Sequence, residues 1–411
     1  MSRTARIAII SVSAAIFCYV GLGHVLGGTQ DDKAYKSLTV YGEVLQKIQT
    51  DYVDEPNLHQ VTAGALHGLL ESLDPSSGYL TPREYTEYKE KLASHDQGDA
   101  GLTLSKRYGY VIVVSVLPDS PAEKAGIHSG DILESIAGFT TREMSVGQAM
   151  NLIHGQPGTD VKVGVVRRGK TDPDDVNLVC EKATPEKIVA QRADPDILAL
   201  RLPTLNTGRA DEVKNRLLEA QKQGVHKVVL DLRDCGRGPV SEAVAVARLF
   251  VPSGTIARLR GQTVSTQTFS AEPSKVVWKG PVSVLIDGTT SGAAEVLAAA
   301  ISANHRGDLV GERTFGLASE QKVIPLEDGA ALILTVANYD NASGKPILDE
   351  GVTPTQIVVA NAPGEDSGDG TGSADSSDQD QNATAQPLSP EDPVFKKAIE
   401  LLNAPAAKKA A

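Results

Sequence analysis

Val282-Ser283-Val284-Leu285-Ile286-Asp287-Gly288-Thr289-Thr290-Ser291-Gly292-Ala293-Ala294-Glu295 is an apolar β-rich run, then a turn of small and polar residues, then the start of an alanine-rich helix reaching Ala303. The run has no polar alternation, so it predicts a strand buried on both faces. Lys227–Leu232 repeats the pattern, with a glycine-containing turn and a helix over Val240–Phe250. Ile197–Leu202 is a third strand and Arg209–Gln223 the helix after it. Strand-turn-helix units in series imply a mostly parallel sheet covered on both faces, over residues 187–360. In such a sheet, functional groups gather at the carboxyl ends of the strands.

Upstream the texture changes. Residues 98–182 carry short β-rich runs at Val111–Val116, Asp131–Ile136, Val161–Arg167 and Val176–Cys180, with short helices at Pro121–Ala125 and Ser145–Ile153. Further back, Leu38, Tyr41, Leu45, Ile48 and Tyr52 recur at helical spacing, as do Val61, Leu66, Leu69, Leu70 and Leu73. They predict a helical region over 34–97. After the turn at Asp74–Gly78, Thr81-Pro82-Arg83-Glu84 has the pattern of a capped helix start.

The termini differ from the body. Arg3 and Arg6 precede an apolar stretch from Ile7 to Leu26, which reads as a signal peptide or membrane anchor over 1–28. The expectation is an exported protein, periplasmic or held at the inner membrane of a bacterium facing the periplasm. Residues 361–389 hold six acidic groups and no Lys or Arg, with little to bury, and predict a disordered linker. Over 390–404, Val394, Phe395, Ala398, Ile399 and Leu402 form one apolar helix face suited to dock on the body or on a neighbour.

The 411 residues carry 40 basic and 52 acidic side chains, a formal charge of −12, which excludes the basic face that nucleic acid needs. Of three cysteines, Cys18 lies in the apolar leader, leaving at most one disulfide for Cys180 and Cys235. No CxxC or HExxH occurs and the eight histidines are scattered, so the residues point to no metal.

Val116–Leu133 reads Val-Leu-Pro-Asp-Ser-Pro-Ala-Glu-Lys-Ala-Gly-Ile-His-Ser-Gly-Asp-Ile-Leu. It resembles the PDZ domains of secreted proteases, in which a peptide's free C-terminus adds as a strand beside a helix. That resemblance implies a carboxylate-binding loop over 99–104, including Gly101, Leu102, Thr103 and Leu104, and a groove helix with Val146, Ala149, Met150 and Ile153. Tyr52-Val53-Asp54, Ala65-Leu66-His67-Gly68, Leu73–Leu80, Val229–Gly238, Gly311-Glu312-Arg313-Thr314-Phe315-Gly316 and Gly351-Val352-Thr353-Pro354 together resemble the C-terminal processing peptidases, or tail-specific proteases. The implied fold is an N-terminal helical region, then a PDZ-like domain inserted before an α/β, ClpP/crotonase-like core.

This family uses a serine nucleophile and a lysine base, without metal or cofactor. The serine lies three residues before a glutamate, and here three before Glu295 is Gly292. The lysine follows T-F-G, and here Leu317 follows Thr314-Phe315-Gly316, with the family's glutamine retained as Gln321. The resemblance puts oxyanion donors at Gly238 and Ala293, while Cys235 replaces an asparagine. Both halves of the dyad are therefore absent. The expectation is a pseudoprotease that binds C-terminal tails of unfolded or envelope proteins. An active paralogue, an adaptor or a second copy of the chain are further expected partners. The alternative is an active serine endopeptidase with a relocated nucleophile at Ser291, with Lys322, Ser319, His305 and Cys235 as weaker substitutes.

Overall fold

The computed structural model describes residues 31–93, 98–182, 186–359 and 388–404. The expected leader 1–28, Cys18 and most of the acidic segment 361–389 lie outside them. Among the described residues, no helix is long and apolar enough to cross a membrane. The chain divides into two compact units, 1–66 and 67–411.

The first unit holds α1 (Asp31–Asp51) and most of α2 (Leu58–Glu71). Pro56 separates them, and Asn57 Oδ1 accepts the Gln60 N–H at the start of α2. In the second unit, β1 (Gly78–Leu80) is followed by α3 (Pro82–Ala93). Glu84 Oε2 accepts from both N–H and Oγ1 of Thr81 at 2.8 Å, a capping interaction at the start of α3.

The middle of the chain is a β-domain. A ribbon pairs β2 (Gly98–Asp99) with β9 (Glu181–Lys182). The main sheet runs β3 (Leu102–Arg107), β4 (Tyr110–Val116), β5 (Ile132–Ile136), β7 (Asp160–Val166), β8 (Asp174–Val179), and β6 (Phe139–Thr140) joins β5. Two helices pack here. The four-residue α4 (Pro121–Lys124) is capped by Ser120, and α5 (Val146–Ile153) starts at a reciprocal Ser145–Gln148 capping box. Strand β3 corrects the expected loop over 99–104. Leu102 and Leu104 alternate inward and pair with Val116 and Val113, and Asp99 belongs to β2, so the loop is only residues 100–101.

The core sheet has the order β10 (Val189–Asp194), β11 (Ile197–Arg201), β12 (Lys227–Asp231), β15 (Val282–Ile286), β16 (Asp308–Gly311), β19 (Gln356–Ile357). All neighbours are parallel except β10 and β11. Its apolar runs split between two layers. Val228, Leu230, Val284 and Ile286 pack with α6 (Arg209–Lys222), α7 (Val240–Arg248) and α8 (Ala293–Ala303). Ile197, Ala199, Val229, Leu285 and Val310 face the opposite way. They are covered by Val394, Phe395, Ala398 and Leu402 of α9 (Pro393–Asn403). Leu388, placed by sequence in the linker, is buried in this second layer too, so the acidic segment ends before it.

A second core sheet contains β13 (Thr255–Arg260), β14 (Gln267–Ser270), β17 (Ser319–Pro325) and β18 (Ala331–Asp340). Strand β1 pairs with β18, Gly78 opposite Ile333, and stitches the chain before the β-domain to the core after it.

At the start of α9, Asp392 caps the Val394 and Phe395 N–H groups. Its other oxygen lies 2.7 Å from the guanidinium of Arg233, which also forks onto Asp231. Apolar burial and this buried ion network hold α9 together. Phe395→Ala is expected to lower unfolding stability by about 3 kcal/mol, read as a lower urea midpoint; a loss under about 1 kcal/mol would show that α9 does not close the core.

Candidate functional site

The site forms where β12 and β15 end. After β15, Asp287 Oδ1 accepts the Thr289 N–H and hydroxyl at 2.9 and 2.5 Å. Thr290 Oγ1 donates to Leu232 O at 3.0 Å, and the Ser291 N–H donates to Cys235 O at 3.1 Å. Thr289 Oγ1 in turn accepts the Asp234 N–H at 2.6 Å. The 287–292 turn is thus fastened across to the loop after β12. Burial, with Asp287 nearby, pushes the Asp234 carboxyl up to about 6 against the pull of Arg201, 2.8 Å away.

Gly292 closes the turn with φ 60° and ψ −119°. That is a sharp strand-to-helix elbow, in a region that side-chain-bearing residues enter only under strain. A Cβ built there would meet nothing closer than Gly236 O at 4.0 Å, so there is room for a side chain that the glycine lacks.

Glu295 organises the surroundings. Its side chain is fully buried, and its carboxylate accepts four hydrogen bonds. They come from Gly292 N (2.8 Å), Leu317 N (2.7 Å), Gly316 N (2.6 Å) and Thr314 Oγ1 (2.5 Å). Burial raises its proton affinity and these donors oppose that. Gly292 and Leu317 share the same oxygen, Oε2, so their nitrogens are no further apart than the two bond lengths combined. The structure brings Gly292 and Leu317 together.

The other expected positions are distributed around them. Ala293 is the first residue of α8, so its N–H has no acceptor within the helix. Gly238 is exposed with φ 120°, and a Cβ there would fall 2.2 Å from Leu205 O. Gln321 turns outward on β17 and donates to Ser319 Oγ at 2.8 Å. Lys322 is exposed on the same strand, and Leu317 precedes it, so strand alternation does not relate the two. His305 lies at the far end of α8, exposed. Ser291 is fully buried, and its Oγ has no hydrogen-bond partner among the described residues. Cys235 is fully buried, and burial pushes its thiol up to about 12.

The β-domain leans on this loop. A Cβ on Gly236 would lie 2.7–2.8 Å from the hydroxyl oxygens of Thr103, Ser115 and Ser291. Arg237 pairs with Asp99 and donates to Leu102 O, and the Arg107 guanidinium lies 4.2 Å from the Phe315 ring centroid. Among the expected groove residues, Leu102, Leu104, Ala149 and Ile153 are core side chains of the domain. Leu102 and Leu104 can offer a peptide only backbone, a correction that follows from β3 alternating inward, and Ala149 and Ile153 lie on the core-facing side of α5. Thr103 points toward Gly236, while Gly101 (φ 86°) forms the loop, its N–H on Asp99 Oδ1. Val146 and Met150 are half-buried on α5.

Glu295, Arg237 and Asp99 were not singled out as functional by sequence. A signal for Glu295 existed, as the one charge among nine consecutive buried residues of α8. Among the described residues, no three His, Cys, Asp or Glu side chains converge as a metal would require. Glu295→Gln exchanges an acceptor oxygen for an NH2 that must face an N–H donor. It is expected to cost about 2–3 kcal/mol and to speed amide exchange at Gly292, Gly316 and Leu317; unchanged exchange there would refute the organising role.

Comparison with known proteins bears on this arrangement. A profile described as Peptidase family S41 matches residues 196–358, and a PDZ domain profile matches 112–167. A carboxy-terminal processing protease, CtpA, of Bacillus subtilis (strain 168) is 30% identical over 335 residues, 81% of this chain and 70% of that protein. A carboxy-terminal-processing protease of Bartonella bacilliformis is 29% identical over 333 residues, 80% of this chain and 76% of that protein. Among solved structures, the photosystem II D1 C-terminal processing protease superposes with a TM-score of 0.66 at 25% identity, covering 80% of this chain and 94% of that one. With its N-terminal helices and a PDZ domain placed before an α/β core, the chain belongs to the S41 family of carboxy-terminal processing peptidases.

Proposed function

We propose that the protein is a non-catalytic member of its family that binds C-terminal peptide tails through its PDZ domain. The observation that carries this reading is the elbow itself. Gly292 has the backbone of a nucleophile turn, and open space for a Cβ, but no side chain to attack with. The neighbouring position that would hold a base is Leu317, which has no proton to take or give. Unpartnered N–H groups at a helix start stabilise a developing oxyanion only once a nucleophile has made one.

The tail ligand is supported by the PDZ fold and by the similarity to carboxy-terminal processing proteases. The β3 edge and the loop 100–101 would bind the carboxylate end, with Val146 and Met150 of α5 beside the apolar side chains. An exported location, periplasmic or membrane-anchored, rests on Arg3, Arg6 and the apolar run 7–26. Envelope and unfolded proteins are then the accessible tails, presented, protected or passed to an active paralogue.

The second reading, a peptidase with Ser291 as nucleophile, has less support. Ser291 Oγ is sealed beneath Gly236 with no base bonded to it, although nucleophile and base need hydrogen-bond reach. Cys235 is held as a thiol, not the thiolate that attacks.

Residues 29–411 and their Ser291→Ala form should both leave β-casein intact; cleavage by the first that Ser291→Ala abolishes would overturn the proposal. Peptides ending in apolar residues should bind with Kd near or below about 100 μM and lose roughly tenfold in affinity when C-terminally amidated; absence of saturable binding would sink the tail reading. Gly292→Ser combined with Leu317→Lys should introduce measurable casein cleavage that neither single substitution produces. Iodoacetamide at pH 8 should leave Cys235 unmodified in the native protein and label it in urea, since its thiol stays protonated until the pH approaches about 12.

A further inference from the structure

His67 on α2 takes no part in the strand-end site. Its imidazole lies beside a cavity of about 10 Å³ that Glu71, Ser77, Lys106 and Ser145 also line. That is room for about one water.

Donors and acceptors around it can be assigned from the hydrogen bonds. In the α5 capping box, Gln148 Oε1 accepts the Ser145 N–H at 2.7 Å, so the amide nitrogen is the end left facing α2 and α3. One Nε2 hydrogen goes to Glu84 Oε1 at 2.6 Å. Glu84's other oxygen is already an acceptor for Thr81. The second Nε2 hydrogen faces His67 Nε2 at 3.5 Å. His67 Nε2 must therefore accept, which puts the ring proton on Nδ1. Nδ1 is buried without a hydrogen-bond partner among the described residues. Protonating Nε2 would set two donors against each other.

We propose that His67 is a proton-sensitive anchor for α5. Unprotonated, it accepts from Gln148 and, with Glu84, holds the start of α5 in place; protonated, it repels that amide and releases the helix. Because α5 flanks the groove in the tail-binding reading, acidification then weakens tail binding, a step that rests on that reading.

The groups facing the ring are Glu71 on α2, Glu84 on α3, Lys106 on β3 and, edge-on at 5.6 Å between centroids, the Tyr79 ring on β1. Lys106 is held by Glu71 at 2.9 Å and by the Arg142 and Met144 carbonyls. Burial is the largest influence and keeps the imidazole below its ordinary 6.5; Lys106 adds to it, and Glu84 and Glu71 oppose it. A histidine that resists protonation when anchored gives anchoring that is complete at neutral pH. It is lost as pH falls below the ordinary value of about 6.5.

The test is amide hydrogen exchange of the whole chain at pH 7.5 and 5.5, corrected for intrinsic exchange. Protection over 145–153 should drop roughly threefold or more at pH 5.5, while 293–303 is unchanged. His67→Gln, whose carbonyl can accept at either pH, should keep its protection at both. A pH-independent wild type, or an equal drop in His67→Gln, overturns the proposal. Should His67→Gln not fold, the wild-type imidazole decides by NMR: a proton on Nε2 at neutral pH refutes the anchor, and a proton on Nδ1 supports it. Tail affinity measured alongside separates the two readings. An exchange shift without tail binding keeps the anchor and removes the ligand assignment; tail binding without the shift does the reverse.

Discussion

A single buried carboxylate holds the two halves of the strand-end site in register. Among the described residues Glu295 has no cation beside it; its charge is met by three backbone N–H groups and one hydroxyl. Those donors come from the elbow on one side and from the Thr314–Leu317 segment on the other, about twenty residues apart in sequence. Such an arrangement depends on geometry rather than on net charge. It persists whatever side chains stand at positions 292 and 317, because both contribute only backbone. The backbone of the elbow is therefore independent of which side chain stands at its corner.

Around it, the loop after β12 is compressed from two sides. Its glycines answer steric demands: Leu205 O leaves no space for a Cβ at Gly238, and three hydroxyls leave none at Gly236. Arg237 between them reaches out of the core to Asp99 and Leu102 O of the PDZ domain. Successive residues of one loop thus serve the sheet, the strand-end site and the neighbouring domain. A substitution in this stretch would act on all three together.

Much of this was legible in the residues. The largely apolar runs at 228–232 and 282–286, free of polar alternation, announce strands buried on both faces, and the second face is the one α9 covers. The turn chemistry of Ser120-Pro121 and Ser145–Gln148 marks helix starts that the structure places within one residue. Strand β3 was hidden because Gly101-Leu102-Thr103-Leu104 reads equally as a loop until Val113 and Val116 pair with it. Leu388 was hidden by its polar neighbours: one apolar residue has no periodicity. The role of Glu295 required knowing what lies twenty residues ahead of it in space, which spacing within a helix cannot convey.

The placement of α9 has a consequence for how the molecule is made. Strands β11, β12, β15 and β16 turn Ile197, Ala199, Val229, Leu285 and Val310 toward a layer supplied mainly by residues 388–402, with Ala193 and Val358 at its margin. A chain emerging N-terminus first keeps most of that face uncovered until α9 has been made. Its sheet can pair early, yet the core can be completed only after a long-range closure. Until α9 docks, the nascent protein carries an exposed apolar surface of the kind that favours aggregation.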